Sequence, residues 1–347
     1  MLLKQMILKN FRDFKEEKFT FNPFLTIIIG ENARGKTNLL ESIYLIFHGE
    51  GFRESREDEL IKFKQSNSEV QGIFGSGDEN FLFQIMMKRT VGGVDKIFSL
   101  NKAKKKYFQY QKETAKTVLF SPEQIEIMIG PPEKRRRYFD NLFGSFDLVY
   151  KKKLLNYENA LRKRNKILGS YKNEEDLREE LTFWNTYLEE HAYYLTQKRQ
   201  NYVDFLNIHK RIDSKEFSIE YLKNEFNQKR LEENFELEKR YRKTVIGPQK
   251  DDFQISQKNE SLRNLHHYGS RSEQRLAVFW LKFNEIKFFE GMFKSKPLLL
   301  LDDIFSELDV KNKKLVIDLV RKYQTIVTTT EVELLELADV PKSIIKL

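Results

Sequence analysis

Leu25-Thr26-Ile27-Ile28-Ile29-Gly30-Glu31-Asn32-Ala33-Arg34-Gly35-Lys36-Thr37 is an apolar run that stops at a glycine, turns, and restarts as an amphipathic segment ending near His48. The first five residues are continuous rather than alternating, which predicts a strand buried on both faces of a sheet. From Thr37 to His48, Leu39, Leu40, Ile43 and Phe47 recur on one face at helical spacing, so a helix packs on that sheet directly after the turn. Between them, Gly30 to Thr37 fit the G-x-x-x-x-G-K-[ST] spacing in the strand-to-helix context that the motif requires. Gly30 and Gly35 permit backbone angles and close approach that a Cβ would block, so successive N–H groups can point at a phosphate from a helix N-terminus. Lys36 supplies a point charge for β- and γ-phosphates, and the Thr37 hydroxyl can join a Mg²⁺ shell. The stretch reads as a phosphate-binding loop for ATP, with Glu31, Asn32, Ala33 and Arg34 lending the backbone between its glycines.

A second acidic strand end completes such a site. Leu298-Leu299-Leu300-Leu301 is an apolar run closed by Asp302 and Asp303. Asp302 is the candidate for the metal shell, directly or through water, and Asp303 for orienting or activating an attacking water. Without the loop the same run is any buried strand capped by surface acids; with the loop present the functional reading prevails. Lys36 and Asp302 lie near opposite ends of the sequence, so something large is inserted between the halves of the site. The expected fold is α/β: a split ATPase head, a mixed sheet with the phosphate loop, carrying an inserted, mainly helical second lobe. That organisation is shared by ATP-binding-cassette and chromosome-maintenance ATPases.

The flanking segments support this division. Gln5–Leu8, Val70–Phe74, Phe81–Met87 and Thr117–Phe120 are short apolar or alternating runs broken by Gly, Asn and Asp, and predict further strands. From Lys134 to about Tyr241 the pattern is long, charged and helical. Leu181, Trp184, Leu188, His191 and Leu195 step by three and four, and Leu154, Leu161 and Leu168 offer a partner stripe, which predicts a short antiparallel helical arm with His191 packed in its seam. After Gly247-Pro248 the strand pattern returns at Phe253–Ile255, followed by a helix from Ser272 to about Phe289 and strands at Leu298–Leu301 and Thr325–Thr329, a resumption of the first sheet. The expected domains are 1–133 and 244–347 for the head and 134–243 for the lobe.

Composition narrows the partners. Lys plus Arg total 61 against 52 Asp plus Glu, a net +9, which favours a polyanion such as nucleic acid, although frequent surface lysine gives the same balance. Zero Cys excludes disulfides, thiolate metal sites and a Cys nucleophile. The start lacks a signal-peptide layout and no apolar run approaches the ~20 residues that cross a bilayer, so a cytoplasmic protein without membrane partners is expected.

Several strings resemble those of the RecF family, the bacterial recombination-repair ATPases, in the family's order along nearly the whole chain. They are Asn10-Phe11-Arg12, the segment from Gly30 through Glu41, Gly51-Phe52-Arg53, Phe120-Ser121-Pro122-Glu123, Lys134 through Asp140, Gly247-Pro248-Gln249-Lys250-Asp251-Asp252, and Leu299 through Asp309. The resemblance implies ATP sandwiched between two chains in an ATP-dependent homodimer, slow ATP hydrolysis, and Arg12 among the nucleotide-binding residues. It implies binding to duplex DNA at single-strand/double-strand junctions during replication, repair and the SOS response, and cooperation with a RecR-type mediator in loading recombinase.

It also marks Gly269-Ser270-Arg271-Ser272-Glu273-Gln274-Arg275 as the signature segment, whose Ser270 would meet the partner chain's nucleotide. This segment departs from the family pattern: Ser272 stands for the usual second Gly and Glu273 for the usual Gln. Glu273 would repel a γ-phosphate unless Arg271 or Arg275 pairs with it, and an ATP-gated scaffold with little or no hydrolysis, acting through protein partners, is the alternative. Ser306-Glu307-Leu308-Asp309 matches the loop that crosses the dimer interface. Thr328-Thr329-Thr330-Glu331 takes the switch position, without the His of transporter cassettes, and His266-His267 is expected on a surface loop.

Basic residues concentrate at the start of the lobe. Lys134, Arg135 and Arg136, Lys151 and Lys152, and Arg162 and Arg164 are the candidate DNA contacts. One helix cannot turn all of them to one face, so only a subset is expected to bind the phosphate backbone; the arginines following the Pro-rich turn have packing as an alternative role. Nothing resembles a recognition helix that reads bases.

Overall fold

The computed structural model describes residues 1–53, 56–258, 262–307, 310–330 and 340–347. The chain forms two compact units, one of residues 1–124 with 282–347 and one of residues 125–281. The expected domains, 1–133 with 244–347 and 134–243, divide the chain at other residues.

The first unit begins with β1 (Leu2–Phe11), β2 (Phe14–Thr20), β3 (Leu25–Ile29) and α1 (Lys36–His48). It continues through β4 (Asn67–Ser76), β5 (Glu79–Thr90), β6 (Gly93–Leu100), β7 (Ala103–Lys105), α2 (Tyr107–Glu113) and β8 (Thr117–Phe120). Six of these strands form an antiparallel sheet, in the order β2-β1-β4-β5-β6-β7.

The second unit contains α3 (Glu126–Ile129), α4 (Pro132–Gly144), α5 (Leu148–Ser170), α6 (Glu174–Ile208), β9 (Arg211–Ile212), β10 (Lys215–Leu222), α7 (Gln228–Tyr241), β11 (Asp252–Lys258), β12 (Leu262–Asn264) and α8 (Leu265–Tyr268). Helix α9 (Arg271–Phe293) carries the chain past the division at residue 281. The first unit then resumes with β13 (Leu298–Asp302), α10 (Val310–Val320), β14 (Thr325–Thr329) and β15 (Lys342–Lys346).

β3 and β8 find their partners only in this last stretch, in a parallel sheet ordered β15-β3-β14-β13-β8. Every residue of β13 and β14 is buried, as the continuous apolar runs predict for strands covered on both faces. The core of the unit lies on α1. Leu39, Leu40, Ile43 and Phe47 pack in one cluster with Met6, Val70 and Phe83 of the antiparallel sheet and Ile28, Leu300 and Ile326 of the parallel one.

In the second unit α5 and α6 form the expected antiparallel arm. Each helix is capped by a side chain that accepts from its first turn, Asp147 from the Tyr150 N–H and Asn173 from the Asp176 N–H. Cross-links run in opposite senses along the pair: Lys198 to Asp147, Lys153 to Glu190 and Arg164 to Asn185. His191 is buried in the seam, donating from Nδ1 to the Tyr187 carbonyl and accepting at Nε2 from Asn156.

Between α6 and α7 the expectation of continuous helix fails. Phe217, Ile219 and Tyr221 are buried at period two and form β10, which pairs with β11 in a four-stranded antiparallel sheet, β12-β11-β10-β9. The predicted strand at Phe253–Ile255 therefore belongs to this second sheet and not to the resumed parallel one. Among the described residues no helix is long and apolar enough to cross a membrane.

Candidate nucleotide site

The loop residues leave the carboxyl end of β3 and enter α1, where ligands of parallel sheets bind. Gly35 takes a left-handed φ of 96° and a Cβ there would press on the Phe14 ring, so the position requires glycine. Ala33 also has a left-handed φ, 64°, which costs a residue bearing a Cβ roughly 1–2 kcal/mol. Lys36 is 7% exposed, and its Nζ donates to the carbonyls of Gly30 at 2.7 Å and Glu31 at 3.0 Å. Arg34 pairs with Glu31 on the exposed rim.

Two strands away, β13 ends at Asp302. Its Oδ1 accepts from Thr37 Oγ1 at 3.0 Å and from Thr328 Oγ1 at 2.7 Å. The register that sets Asp302 opposite Thr328, and Thr328 opposite Ile28, aligns the strand ends across the sheet. Burial raises the Asp302 carboxyl above its ordinary pKa, the two hydroxyls oppose that rise, and Glu123 and Asp303 add to it. Asp303 follows with a left-handed φ of 46°, its N–H bonded to the Thr328 carbonyl and hydroxyl.

The Thr37 hydroxyl and Asp302 carboxylate are hard oxygen donors in mutual contact, the kind of pair that suits Mg²⁺ when phosphates and waters complete its shell. Among the described residues no group of three or more His, Asp or Glu gathers as a ligand set.

The raised Asp302 carboxyl has a testable sign. Its charged form costs stability above the folded pKa, and that cost fades as pH falls toward the ordinary Asp value of about 3.9. Asp302→Asn keeps an oxygen for both threonines, so it should raise the melting temperature of the nucleotide-free protein at neutral pH. The gain should shrink on acidification, and a melting series from pH 4 to 8 would check it.

Arg12 reaches the helix that follows the loop, at Glu41. Its guanidinium bonds both oxygens of Glu41, at 2.9 and 3.1 Å.

Ser270 lies in the second unit, at the start of α9. Its N–H and hydroxyl each donate to Glu273 Oε2 at 2.8 Å, and the Glu273 N–H returns to Ser270 Oγ, a capping box. Among the described residues the cation paired with Glu273 is Arg263. Burial raises the Glu273 carboxyl, but the Ser270 bonds and the Arg263 charge outweigh it and hold the group below its usual range.

Two of the candidate DNA-contact arginines are bound inside the second unit. Arg135 is bound through Nε and Nη2 to Asp252 and through Nη1 to the Gly130 carbonyl. Arg164, 1% exposed, is bound to Glu238, Thr244 and Asn185. Guanidiniums enclosed in this way have no face to offer a DNA phosphate. Arg136, half-buried, donates to the Asp251 carbonyl. Lys134 and Lys151 are half-buried, whereas Lys152 and Arg162 are exposed on α5.

His266 is likewise not loop surface. It sits in α8 with Nδ1 bonded to the Met128 carbonyl, and burial, aided by Arg135, lowers its pKa to about 4. Leu308, Asp309 and Glu331 lie outside the described residues.

Sequence reasoning missed that Gly247 to Asp252 is a structural hub. Arg199, fully buried, donates to Asp251 at 2.8 Å, to the Pro248 carbonyl at 3.0 Å and to Asp140 at 2.9 Å, while Tyr221 and the Asn224 N–H also bond Asp251. The signal was present: Asp251 follows a Gly-Pro turn and precedes an apolar alternation, a poor position for a lone solvated acid.

Fold and site together define a phosphate-loop head of the type described as the RecF/RecN/SMC N terminal domain, which matches residues 2–346. The DNA replication and repair protein RecF of Natranaerobius thermophilus is 30% identical, over 96% of this chain and 92% of that protein. The RecF protein of Clostridium botulinum is 31% identical over 96% and 93%. The chain belongs to the RecF family.

A solved structure of the recombination mediator protein RecF-ATPrS in the RecFOR pathway has 30% identity and a TM-score of 0.86, covering 99% of this chain and 95% of that one. Its RecF-ATP counterpart gives 30%, 0.83, 98% and 93%. An Smc head bound to the C-winged helix domain of ScpA shares the fold, at 18% identity and a TM-score of 0.53 over 98% of this chain and 92% of that one.

Proposed function

We propose that this chain is a slow, DNA-stimulated ATPase of recombinational repair. It uses Mg²⁺ and ATP binding to clamp two copies on duplex DNA near single-strand gaps, and hydrolysis to release them. The observation that carries this reading is the contact of Thr37 with Asp302, which joins the phosphate loop to an acid from the far end of the sequence. In it, Lys36 exchanges its loop carbonyls for β- and γ-phosphate oxygens, Thr37 and Asp302 hold the metal, and Asp303 orients the attacking water. The ATP-bound structures of RecF relatives support ATP as the ligand. A RecR-type mediator is the proposed protein partner.

For DNA, the exposed Lys152 and Arg162 are the strongest remaining candidates. Binding should weaken as salt rises because phosphate contacts release counterions, and Lys152→Gln with Arg162→Gln should lower the slope of log K against log salt by about 2. A salt-insensitive or absent interaction with duplex DNA would refute this part.

One observation favours a second reading, an ATP-gated scaffold with little or no turnover: Glu273 already holds the two Ser270 donors that would meet the partner's γ-phosphate. Phosphate release with and without duplex DNA, measured beside the ATP-dependent change in mass, separates the readings. A rate that DNA leaves unchanged, with the mass change retained, selects the scaffold.

A further inference from the structure

Ser270 presents two donors to one oxygen. Its N–H and its hydroxyl both end at Glu273 Oε2, each at 2.8 Å, where α9 begins. Two donors that converge in this way make a seat for an anion, and here a carboxylate of the same chain fills it. The other carboxylate oxygen, Oε1, is bonded by Nη2 of Arg263, which reaches over from β12.

The backbone around this seat is held from several sides. Arg263 lies opposite Gln257 in the ladder of β11 and β12. Asn264 accepts from the His266 N–H at 2.9 Å, and its amide donates to Gln254 Oε1 at 2.7 Å. The Leu265 carbonyl then receives the Gly269 N–H at 3.2 Å and the amide of the buried Gln274 at 3.0 Å. A Cβ at Gly269 would stand 2.6 Å from that carbonyl, so the turn closes tightly before Ser270. Between these fixed points lie two partly exposed side chains, Glu273 at 27% and Arg263 at 39%.

An amide N–H has one proton to give, so Ser270 serves either Glu273 or a phosphate oxygen. An incoming phosphate must displace the carboxylate, and a displaced carboxylate left unpaired beside it repels it. Arg263 removes that obstacle: it already holds Oε1, and its planar fork fits both oxygens once Oε2 leaves Ser270.

We propose that Glu273 is an internal stand-in for the terminal phosphate of the partner chain's nucleotide, and that Arg263 is the positioning residue that draws it aside when two chains close. This rests on reading Ser270 as the residue that meets the partner's ATP. The pair then sets how readily ATP-bound chains dimerise: the carboxylate keeps single chains apart, and the guanidinium makes the block reversible. In the scaffold reading the same carboxylate suppresses turnover; as a gate it yields to ATP.

Sedimentation velocity of the full-length chain over a concentration series, with ATP or ADP, tests this on the parent, Glu273→Gln, Arg263→Gln and the double variant, each with a melting curve. Glutamine keeps the capping box, so a merely structural pair leaves the ATP-dependent dimer of Glu273→Gln unchanged. The gate instead makes Glu273→Gln dimerise about tenfold more tightly with ATP and Arg263→Gln about tenfold more weakly, and returns the double variant to the Glu273→Gln level. ADP, without the terminal phosphate, should show none of these differences.

An unchanged or weaker dimer in Glu273→Gln overturns the proposal, as does an Arg263→Gln defect that the second substitution fails to rescue. If Arg263→Gln does not fold, Glu273→Gln decides alone. A monomeric parent beside a Glu273→Gln chain that dimerises with ATP supports the gate. If neither dimerises, the reading of Ser270 against a partner's ATP falls and the gate with it, whereas a parental dimer that Glu273→Gln leaves as it was overturns only this inference.

Discussion

Lys36→Met is expected to lower ATP hydrolysis by about 10²–10³-fold, the range seen when one preorganised charge or donor is removed from a reacting phosphate or oxyanion. The fold should survive the change. Among the described residues Lys36 Nζ is held by two carbonyls of its own loop, at Gly30 and Glu31, and these sit at positions that water reaches. Methionine retains the length and most of the apolar stem that α1 buries, so the melting temperature should move by only a few degrees. Steady-state phosphate release beside a thermal melt checks both halves. Parental turnover in the variant would remove the loop from the mechanism, and loss of folding would show that the lysine is needed for structure as well.

Arg199→Met should produce the largest loss of stability, roughly 3–5 kcal/mol, because it leaves Asp251 buried without its cation. Asp251 is 1% exposed and Arg199 2%, and the guanidinium also ties Asp140, Tyr150 and the Pro248 carbonyl, so one side chain joins α4, α5, α6 and the Gly-Pro turn before β11. Burial disfavours the charge on Arg199, yet the surrounding tyrosines and aspartates hold its pKa well above the ordinary value, so the cation persists throughout the folding range of pH. A melting temperature lower by roughly 10 °C is the expected readout for a unit of this size. A shift under about 2 °C would mean that the hub adapts without its cation, against the usual cost of orphaning a buried acid.

Legibility in the sequence followed the range of the interaction. The phosphate loop, α1 and the strand ending at Asp302 are local patterns, and each emerged within a residue or so of its predicted place. The hairpin of β9 and β10 was overlooked because its charged partners, Glu216 and Glu220, blend with the helical segments on either side, although Phe217, Ile219 and Tyr221 alternate clearly.

Burial of Arg135 and Arg164 could not be read locally. A basic run has the same composition whether its members face water or an aspartate more than a hundred positions away, and only the tertiary structure brings Asp252 to Arg135. The same holds for Glu273, whose cation comes from Arg263 on β12 rather than from its own helix. The Gly-Pro-x-x-Asp-Asp string was conspicuous, but its role as a buried junction appears only once Arg199 is seen to reach it.

The order of strands in the parallel sheet also sets an order of assembly during synthesis. β3 has β14 and β15 as its neighbours, and β8 has β13, so a nascent chain extending to Leu281 holds two strands of that sheet with nothing to pair them. The unit of residues 125–281 is by then continuous and has every strand of its own sheet. A contiguous unit can close through shorter loops than a split one, so it should gain structure while the phosphate loop still waits on an unpaired strand. Competence to bind ATP is thus acquired late, and a chain released early would carry the phosphate-binding loop on a half without its sheet.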